Sequence, residues 1–378
     1  MDANFKQNLS KARRGAGKVR KALALLLCLA LLCGALASCG IGGAQRFTDT
    51  YYDAFDTAIS VIAYCKDQAE FKALSERIHK EFREYHKLFD IYNEYPDLFN
   101  AAALNRLAKE GQTVKVPAEL FELLELSKDA CTQTGGKVNI AMGAVLLLWH
   151  NAREYAADHP ESAYVPQASE LAEAAEHCDI NKLILDKDAL TVSFADPQMS
   201  LDLGAAAKGW ATEKIARGLE ADGYSNIAIS AGGNVRVIGA RADGSKWSIA
   251  VQDPSEGASA SDYVDVLLLA DVSLVTSGVN QRGFKVGGKW YHHIIDPDTL
   301  QPESRYLSVT VLTEDSGLAD ALSTALFNMS VEEGKALLSA LKKGEKAIGA
   351  EAPKTAEALW VLPDKSTVST DGYAAFRK

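Results

Sequence analysis

The chain predicts an α+β fold, a single large domain of mostly antiparallel sheet with packed helices. Three observations carry this. Short β-rich runs follow one another closely between residues 226 and 312. Gly287-Gly288, between Phe284–Val286 and Trp290–Ile295, is a hairpin signal. The helical patterns cluster before and after these runs rather than alternating with them as βαβ units would. A hydrophobic content of 47% in 378 residues supports a large core.

Taken in order, Ala54–Tyr64 alternates and reads as a strand, with Asp56 and Thr57 near its start. Phe71, Leu74, Ile78, Phe82, Tyr85 and Phe89 recur at helical spacing and predict a helix over Gln68–Phe89. Pro117 opens a second helix that runs to Thr132 and is stopped by Gly135-Gly136. A third covers Ala205–Ala221, with Gly223 as its stop. Strands are expected over 226–230, 234–239, 247–251, 263–269, 273–276 and 307–312, with a polar surface loop over 256–261. Leu318–Asn328 is helical, and Ser330 with Glu333 forms a capping box that opens another helix. Ala358–Leu362 and Val368–Phe376 close the chain as strands.

The N-terminus reads as an export signal. Lys6, Lys11, Arg13, Arg14, Lys18, Arg20 and Lys21 precede an apolar run over 22–32. That run is below the roughly 18–20 residues that span a bilayer. It ends at Leu36-Ala-Ser-Cys39, which looks like a bacterial lipobox. The division expected is 1–38 signal peptide, 39–48 tether and 49–378 catalytic domain, with Cys39 lipidated and the protein anchored outside the cytoplasm on the cell membrane. Residues 1–38 carry seven basic groups against one acid, so the body stands near −16 where the whole chain is −10. An acidic body argues against nucleic-acid binding, which needs basic patches. Cys65, Cys131 and Cys178 remain in the body, and an odd number without short spacing predicts neither a disulfide framework nor a zinc site.

Leu201-Asp-Leu-Gly-Ala-Ala-Ala-Lys-Gly-Trp210 carries the sharpest chemical signal. A lysine in the first helical turn opposes the macrodipole unless an anion sits there, as phosphates do. Asp320 and Thr324 lie four apart on a helix and share a face, a pairing that suits a hard cation such as Mg²⁺. Strand alternation places His293 and Ile295 on one face and His292 and Ile294 on the other, and a histidine beside phosphates can act as general base. Ala231-Gly-Gly-Asn234 reads as either a tight turn or a backbone cradle. A dinucleotide fingerprint, a P-loop and a nucleophile elbow are all missing from the sequence.

Asp202-Leu-Gly-Ala-Ala-Ala-Lys208-Gly, Ala231-Gly-Gly-Asn234, Thr276-Ser-Gly278, His293-Ile-Ile-Asp-Pro297 and Asp320-Ala-Leu-Ser-Thr324 occur in an order that resembles the bacterial FAD:protein FMN transferases of the ApbE type. Phe55-Asp-Thr57 and the Tyr92 region fit the N-terminal part, so the resemblance covers residues 50 to 365. It implies a T-fold-like architecture and Mg²⁺-dependent transfer of FMN from FAD to a threonine or serine of an acceptor protein, with AMP released. It implies Mg²⁺ on Asp320, Thr324 and the Ala205 carbonyl. Asp202, Lys208 and the backbone around Ile294 would contact FAD, and Phe55 and Tyr92 would enclose the flavin. His293 is the candidate base. Lys137, Val138 and Asn139 stand where the family usually reads Ala-Phe-Asp, and are carried as FAD contacts. Leu300 replaces a family glycine, so its turn is expected to differ in shape. The acceptor implied is a membrane or extracytoplasmic redox subunit. Two rivals remain at this stage: an FAD pyrophosphatase that passes FMN to water, and a non-catalytic flavin-binding lipoprotein.

Overall fold

The computed structural model describes residues 43–259, 261–349 and 351–378. The signal peptide and Cys39 lie outside the described residues. At the centre is an eight-stranded sheet in the order β1-β2-β6-β7-β10-β13-β14-β15, with every neighbouring pair antiparallel. Its strands are β1 (Gln45–Ala54), β2 (Thr57–Cys65), β6 (Ile227–Ala231), β7 (Asn234–Ile238), β10 (Ser273–Gly278), β13 (Ser308–Thr313), β14 (Glu357–Val361) and β15 (Thr367–Ser369).

The strands read as apolar runs because both sheet faces are covered. Ile59, Val61 and Ala63 of β2 enter a helix-side core with Ile227 and Ile229 of β6. Val309, Val311, Ala358 and Trp360 continue that side further along the sheet. The intervening Ile62, Ala228, Leu274, Leu312 and Leu359 face the other way, against Trp247, Ile249, Leu267 and Leu269. Those four belong to the two-stranded ribbon of β8 (Trp247–Gln252) and β9 (Tyr263–Leu269).

The helix layer holds α1 (Gln68–Phe89), α2 (Ala101–Lys109), α3 (Ala118–Gln133), α4 (Gly143–Asp158), α5 (Ala168–Ala175), α6 (Ala207–Ala221), α7 (Ser316–Phe327) and α8 (Val331–Lys342). A three-stranded sheet of β3 (Val114–Lys115), β5 (Thr191–Phe194) and β4 (Leu183–Asp186) and a hairpin of β11 (Gly283–Val286) and β12 (Lys289–His292) complete it. Among the described residues no helix is long and apolar enough to cross a membrane. Cys65, Cys131 and Cys178 are all free thiols.

Several expectations shift. The tether is shorter than read, because residues 45–48 already pair with β2. The third helix starts at Ala207, two residues late, since Asp202 and Leu203 organise the preceding turn. The strand before the His-His pair ends at His292, so alternation does not extend to Ile295, which is buried along with Ile294. Residues 371–376 form a 3₁₀ turn and not strand. Gly372 lies directly on the Glu357 carboxylate, where a Cβ would collide. Asn226, expected as a strand start, is a left-handed turn residue at φ 61°.

Candidate active site

The site is built where α6 packs along α7, with the first turn of α6 against Ser316 and Asp320. Gly209 makes this possible: a Cβ there would strike the Ser316 carbonyl and the Asp320 Cβ, so only glycine permits the approach. In a continuous helix the Gly209 amide would donate to the Ala205 carbonyl four residues back. It donates instead to Asp320 Oδ2 at 2.8 Å, which releases the Ala205 carbonyl from that bond. Lys208 Nζ stands 3.7 Å from the same oxygen, and Asp320 is only 4% exposed. Thr324 is half-buried one turn further along α7.

α7 is held by its first turn. Asp315 accepts from the Leu318 amide at 2.9 Å as an N-cap. The Ser316 amide donates to buried Glu213 at 2.9 Å. Glu213 is also bonded by Arg236 at 3.2 Å and by Arg217 at 2.8 Å, so the carboxylate is paired where it is desolvated. Ser323 bonds Ser277 of β10 at 2.8 Å and the Asp320 carbonyl at 2.9 Å.

Among the described residues no group of three or more His, Cys, Asp or Glu could hold a metal. The donors paired by the sequence are the Asp320 carboxylate, the Thr324 hydroxyl on the same helix and the Ala205 carbonyl that the Gly209 amide leaves free. All are hard oxygens, and they fit Mg²⁺, which keeps waters and shares its shell with phosphates.

His293 follows β12 and is half-buried. Its Nδ1 donates to the Arg282 carbonyl at 3.2 Å, which fixes the tautomer and leaves Nε2 as the acceptor. Burial, with the positive charges of Arg282 and Lys208 nearby, pushes its pKa down to about 3, so the ring is neutral at pH 7. His292 is a different residue: buried, with Nε2 donating to the Glu303 carbonyl at 2.6 Å and Nδ1 accepting from the Ile294 amide at 3.2 Å. The Ile294 carbonyl accepts from the Glu303 amide at 3.1 Å, so the polar backbone of Ile294 is engaged internally.

Asp202 Oδ1 accepts from the Gly204 amide at 2.8 Å and shapes the turn into α6. Burial pushes its carboxyl above the usual range, opposed by His150, Arg282 and Arg153. Tyr92 exposes 56% of its surface and stacks on His150 with centroids 4.8 Å apart. The walls around it and the charge of Asp202 push its phenol up to about 12. Arg153 lies 2.9 Å from His150, whose pKa is lowered by burial and by that guanidinium. Phe55 and Asp56 form the β1–β2 turn, with φ of 53° and 51°. Two non-glycine residues in the left-handed region are strained, as residues at functional sites often are. The Phe55 amide bonds His86 at 3.2 Å, and its carbonyl accepts from Arg282 at 3.3 Å.

Sequence reasoning missed Arg282, His150 and Arg153. The first sits outside every quoted motif, and α4, which carries the other two, was not read as a helix. The predicted Lys137, Val138 and Asn139 contacts have other partners. Lys137 reaches Asp298 at 2.5 Å and Asp296 at 3.5 Å, Val138 is buried, and Asn139 bonds the Cys178 carbonyl at 2.8 Å. Gly232-Gly233 is a tight turn, with positive φ at both residues and Gly232 pressed against Thr57. Leu300 takes φ 59°, so the turn keeps a glycine-like backbone despite the side chain. Its carbonyl accepts from Trp149 Nε1 at 3.0 Å.

A lysine at a helix start beside a buried carboxylate, with a neutral histidine near enough to feel the lysine's charge, suits an enzyme that works on a phosphate ester. The model of the ApbE family matches residues 55–348, and the chain belongs to that family. It is 31% identical over 368 residues to the FAD:protein FMN transferase of Treponema pallidum, covering 93% of each chain. The Haemophilus influenzae FAD:protein FMN transferase is 31% identical, with 72% of this chain and 77% of that one covered. Among solved structures, the ApbE protein of Thermotoga maritima superposes with a TM-score of 0.73 at 25% identity, covering 88% of this chain and 100% of that one.

Proposed function

We propose that this chain is an enzyme that transfers FMN from FAD to a threonine or serine hydroxyl of an acceptor protein, forming a phosphoester and releasing AMP. The observation that carries the reading is the pairing of Lys208, at the start of α6, with buried Asp320 of α7, close to His293, whose Nε2 is left as an acceptor. Lys208 and the first amides of α6 would hold the pyrophosphate. Asp320, Thr324 and the Ala205 carbonyl would hold Mg²⁺, which supplies charge neutralisation on the phosphates. Phe55 and Tyr92 would enclose the flavin, and Asp202 would contact FAD. Lys137, Val138, Asn139 and Ile294 would border the FAD site, with the Lys137 and Asn139 side chains and the Ile294 amide held by other partners.

The acceptor oxygen bonds the FMN phosphorus while its proton passes to His293 Nε2. The bond from that phosphorus to the bridging oxygen breaks, and the electron pair leaves with AMP. The test is to incubate the protein with FAD, Mg²⁺ and a candidate acceptor, determine both protein masses and assay AMP. An acceptor gaining FMN in step with AMP supports transfer. AMP without an acceptor adduct means hydrolysis, and neither product means a flavin-binding protein.

The same reading places the enzyme outside the cytoplasm, held to the membrane by acyl chains on Cys39 after removal of residues 1–38. The support is the Leu36-Ala-Ser-Cys39 run behind a short apolar stretch. An acceptor that is itself a membrane or extracytoplasmic redox subunit would share that surface.

A further inference from the structure

Two neighbouring segments use Arg282, and neither use takes up its charge. Its backbone carbonyl accepts from His293 Nδ1 at 3.2 Å, and its Nη2 donates to the Phe55 carbonyl at 3.3 Å. A guanidinium carries five N–H donors, so most of the fork is left over. Among the described residues no carboxylate stands at ion-pair distance from it, whereas Arg153, Arg236 and Arg305 each have one. In a chain of net charge −10 that is a cation kept free of the surrounding acids. The side chain is exposed, but its position is set from both ends. Phe284, two residues on, packs on Trp149 with centroids 6.4 Å apart, and Gly283 between them lies under the Trp290 ring, where a Cβ would come within 2.5 Å. At the other end the Phe55 amide is held by His86 at 3.2 Å. Burial dominates the protonation of His293, Asp202 and Tyr92, yet the charge of Arg282 acts on all three, which sets the guanidinium among the base, Asp202 and the flavin wall.

We infer that the Arg282 guanidinium binds the phosphate on the FMN side of FAD, the one that is transferred. The inference rests on the transfer reading above and adds to it the residue that recognises the moving group. The oxidised isoalloxazine and the adenine are uncharged, so the anions that FAD brings to a free cation are its phosphates. The planar fork of an arginine matches phosphate oxygens two at a time. The choice between the two phosphates follows from the neighbours. Arg282 touches the Phe55 turn and the base itself, and acts on His293 more strongly than Lys208 does. Lys208 is shared with Asp320 at 3.7 Å, while Arg282 keeps its whole charge for the ligand. Bound there, Arg282 offsets the negative charge on the phosphorus that the acceptor oxygen attacks.

The experiment titrates the full chain, in Mg²⁺, with FMN, riboflavin and AMP. Riboflavin lacks only the phosphate in question, and AMP carries only the other one. The wild type should bind FMN at least tenfold more tightly than riboflavin. Arg282→Gln should lower FMN affinity about tenfold, the low end for a charge-assisted contact because the residue is exposed. Riboflavin and AMP should stay within twofold. Arg282→Lys, which restores the charge without the fork, should recover part of the FMN preference. Both variants alter an exposed side chain and keep the carbonyl that holds His293. A role confined to holding the Phe55 turn or the base would weaken riboflavin as much as FMN. The inference is overturned by that result, by FMN affinity within twofold of wild type in Arg282→Gln, or by a loss that falls on AMP instead. A wild type that binds FMN no more tightly than riboflavin also overturns it and leaves the proposed function standing. A wild type that binds no FAD is the failure of the proposed function itself.

Discussion

Replacing Lys208 by alanine separates two roles that share one nitrogen. By the macrodipole alone, removing a lysine from the first turn of α6 would help by roughly 0.3–1 kcal/mol. The structure reverses that sign, because Lys208 stands 3.7 Å from a carboxylate that is only 4% exposed. Breaking a fully buried pair costs about 3–5 kcal/mol, and an exposed pair is worth about 0–1. Lys208 keeps 21% of its side chain accessible and Asp320 retains the Gly209 amide, so the cost falls between, at about 1–2 kcal/mol. Net of the dipole, ligand-free protein should lose about 1 kcal/mol, a fall of about 2–4 °C in Tm. With FAD present, loss of a charge-assisted phosphate contact worth about 1.5–3 kcal/mol should weaken binding by roughly 10- to 150-fold. Both effects therefore have the same sign. Thermal melts with and without FAD, joined to a flavin titration, measure them. In an Asp320→Asn background the ligand-free penalty should vanish. A Lys208→Ala protein that melts higher than wild type without ligand, or that binds FAD normally, refutes the reasoning.

His293→Asn should cut protein flavinylation by about 10²–10⁴ with FAD binding retained. Because its pKa is pushed down, the base form is present throughout neutral pH, so the acid limb of kcat/KM should lie below that of an ordinary histidine and disappear in the variant. His292→Asn removes both ring contacts that tie Ile294 to Glu303, so Tm should fall while any surviving folded protein still transfers. Asp320→Asn should preserve an acceptor for the Gly209 amide and hence the melting profile, yet lower turnover by orders of magnitude at limiting Mg²⁺; near-normal turnover excludes Asp320 as a metal ligand. Asp196 is held well below the usual carboxylate range by His177 and Lys182, so its stabilisation is present above the unfolded value of about 3.9 and lost as pH falls through the lowered folded one. Asp196→Ala should flatten the acid arm of the pH-stability curve. Cys39→Ala should leave the precursor unprocessed at this position, which the mass of the membrane-fraction protein reports.

What was legible in the sequence depended on where the ordering forces are local. The helix over Gln68–Phe89 was readable to the residue, because its periodic apolar side chains are a local signal. The Ser330–Glu333 capping box and the Gly287-Gly288 hairpin were legible for the same reason. α4 was not, since its Leu146-Leu147-Leu148-Trp149 run blurs the helical period and its packing against the hairpin is tertiary. The site shows the same division. Asp320 and Thr324 could be paired by helical spacing, and Lys208 could be placed in a first turn. That Lys208 and Asp320 face each other, that Arg282 orients His293 through its carbonyl, and that Ile294 is internally bonded depend on contacts between distant segments.

The Gly209–Asp320 hydrogen bond joins residues 111 positions apart in the chain. Closing so large a loop carries an entropy cost that only the surrounding contacts offset. The bond should therefore form only after the intervening strands have paired, with the site assembled late in folding rather than seeded by its own motifs. One proton reports that event. The Gly209 amide should become protected against hydrogen exchange after the amides of β6 and β7, at the moment the two helices lock.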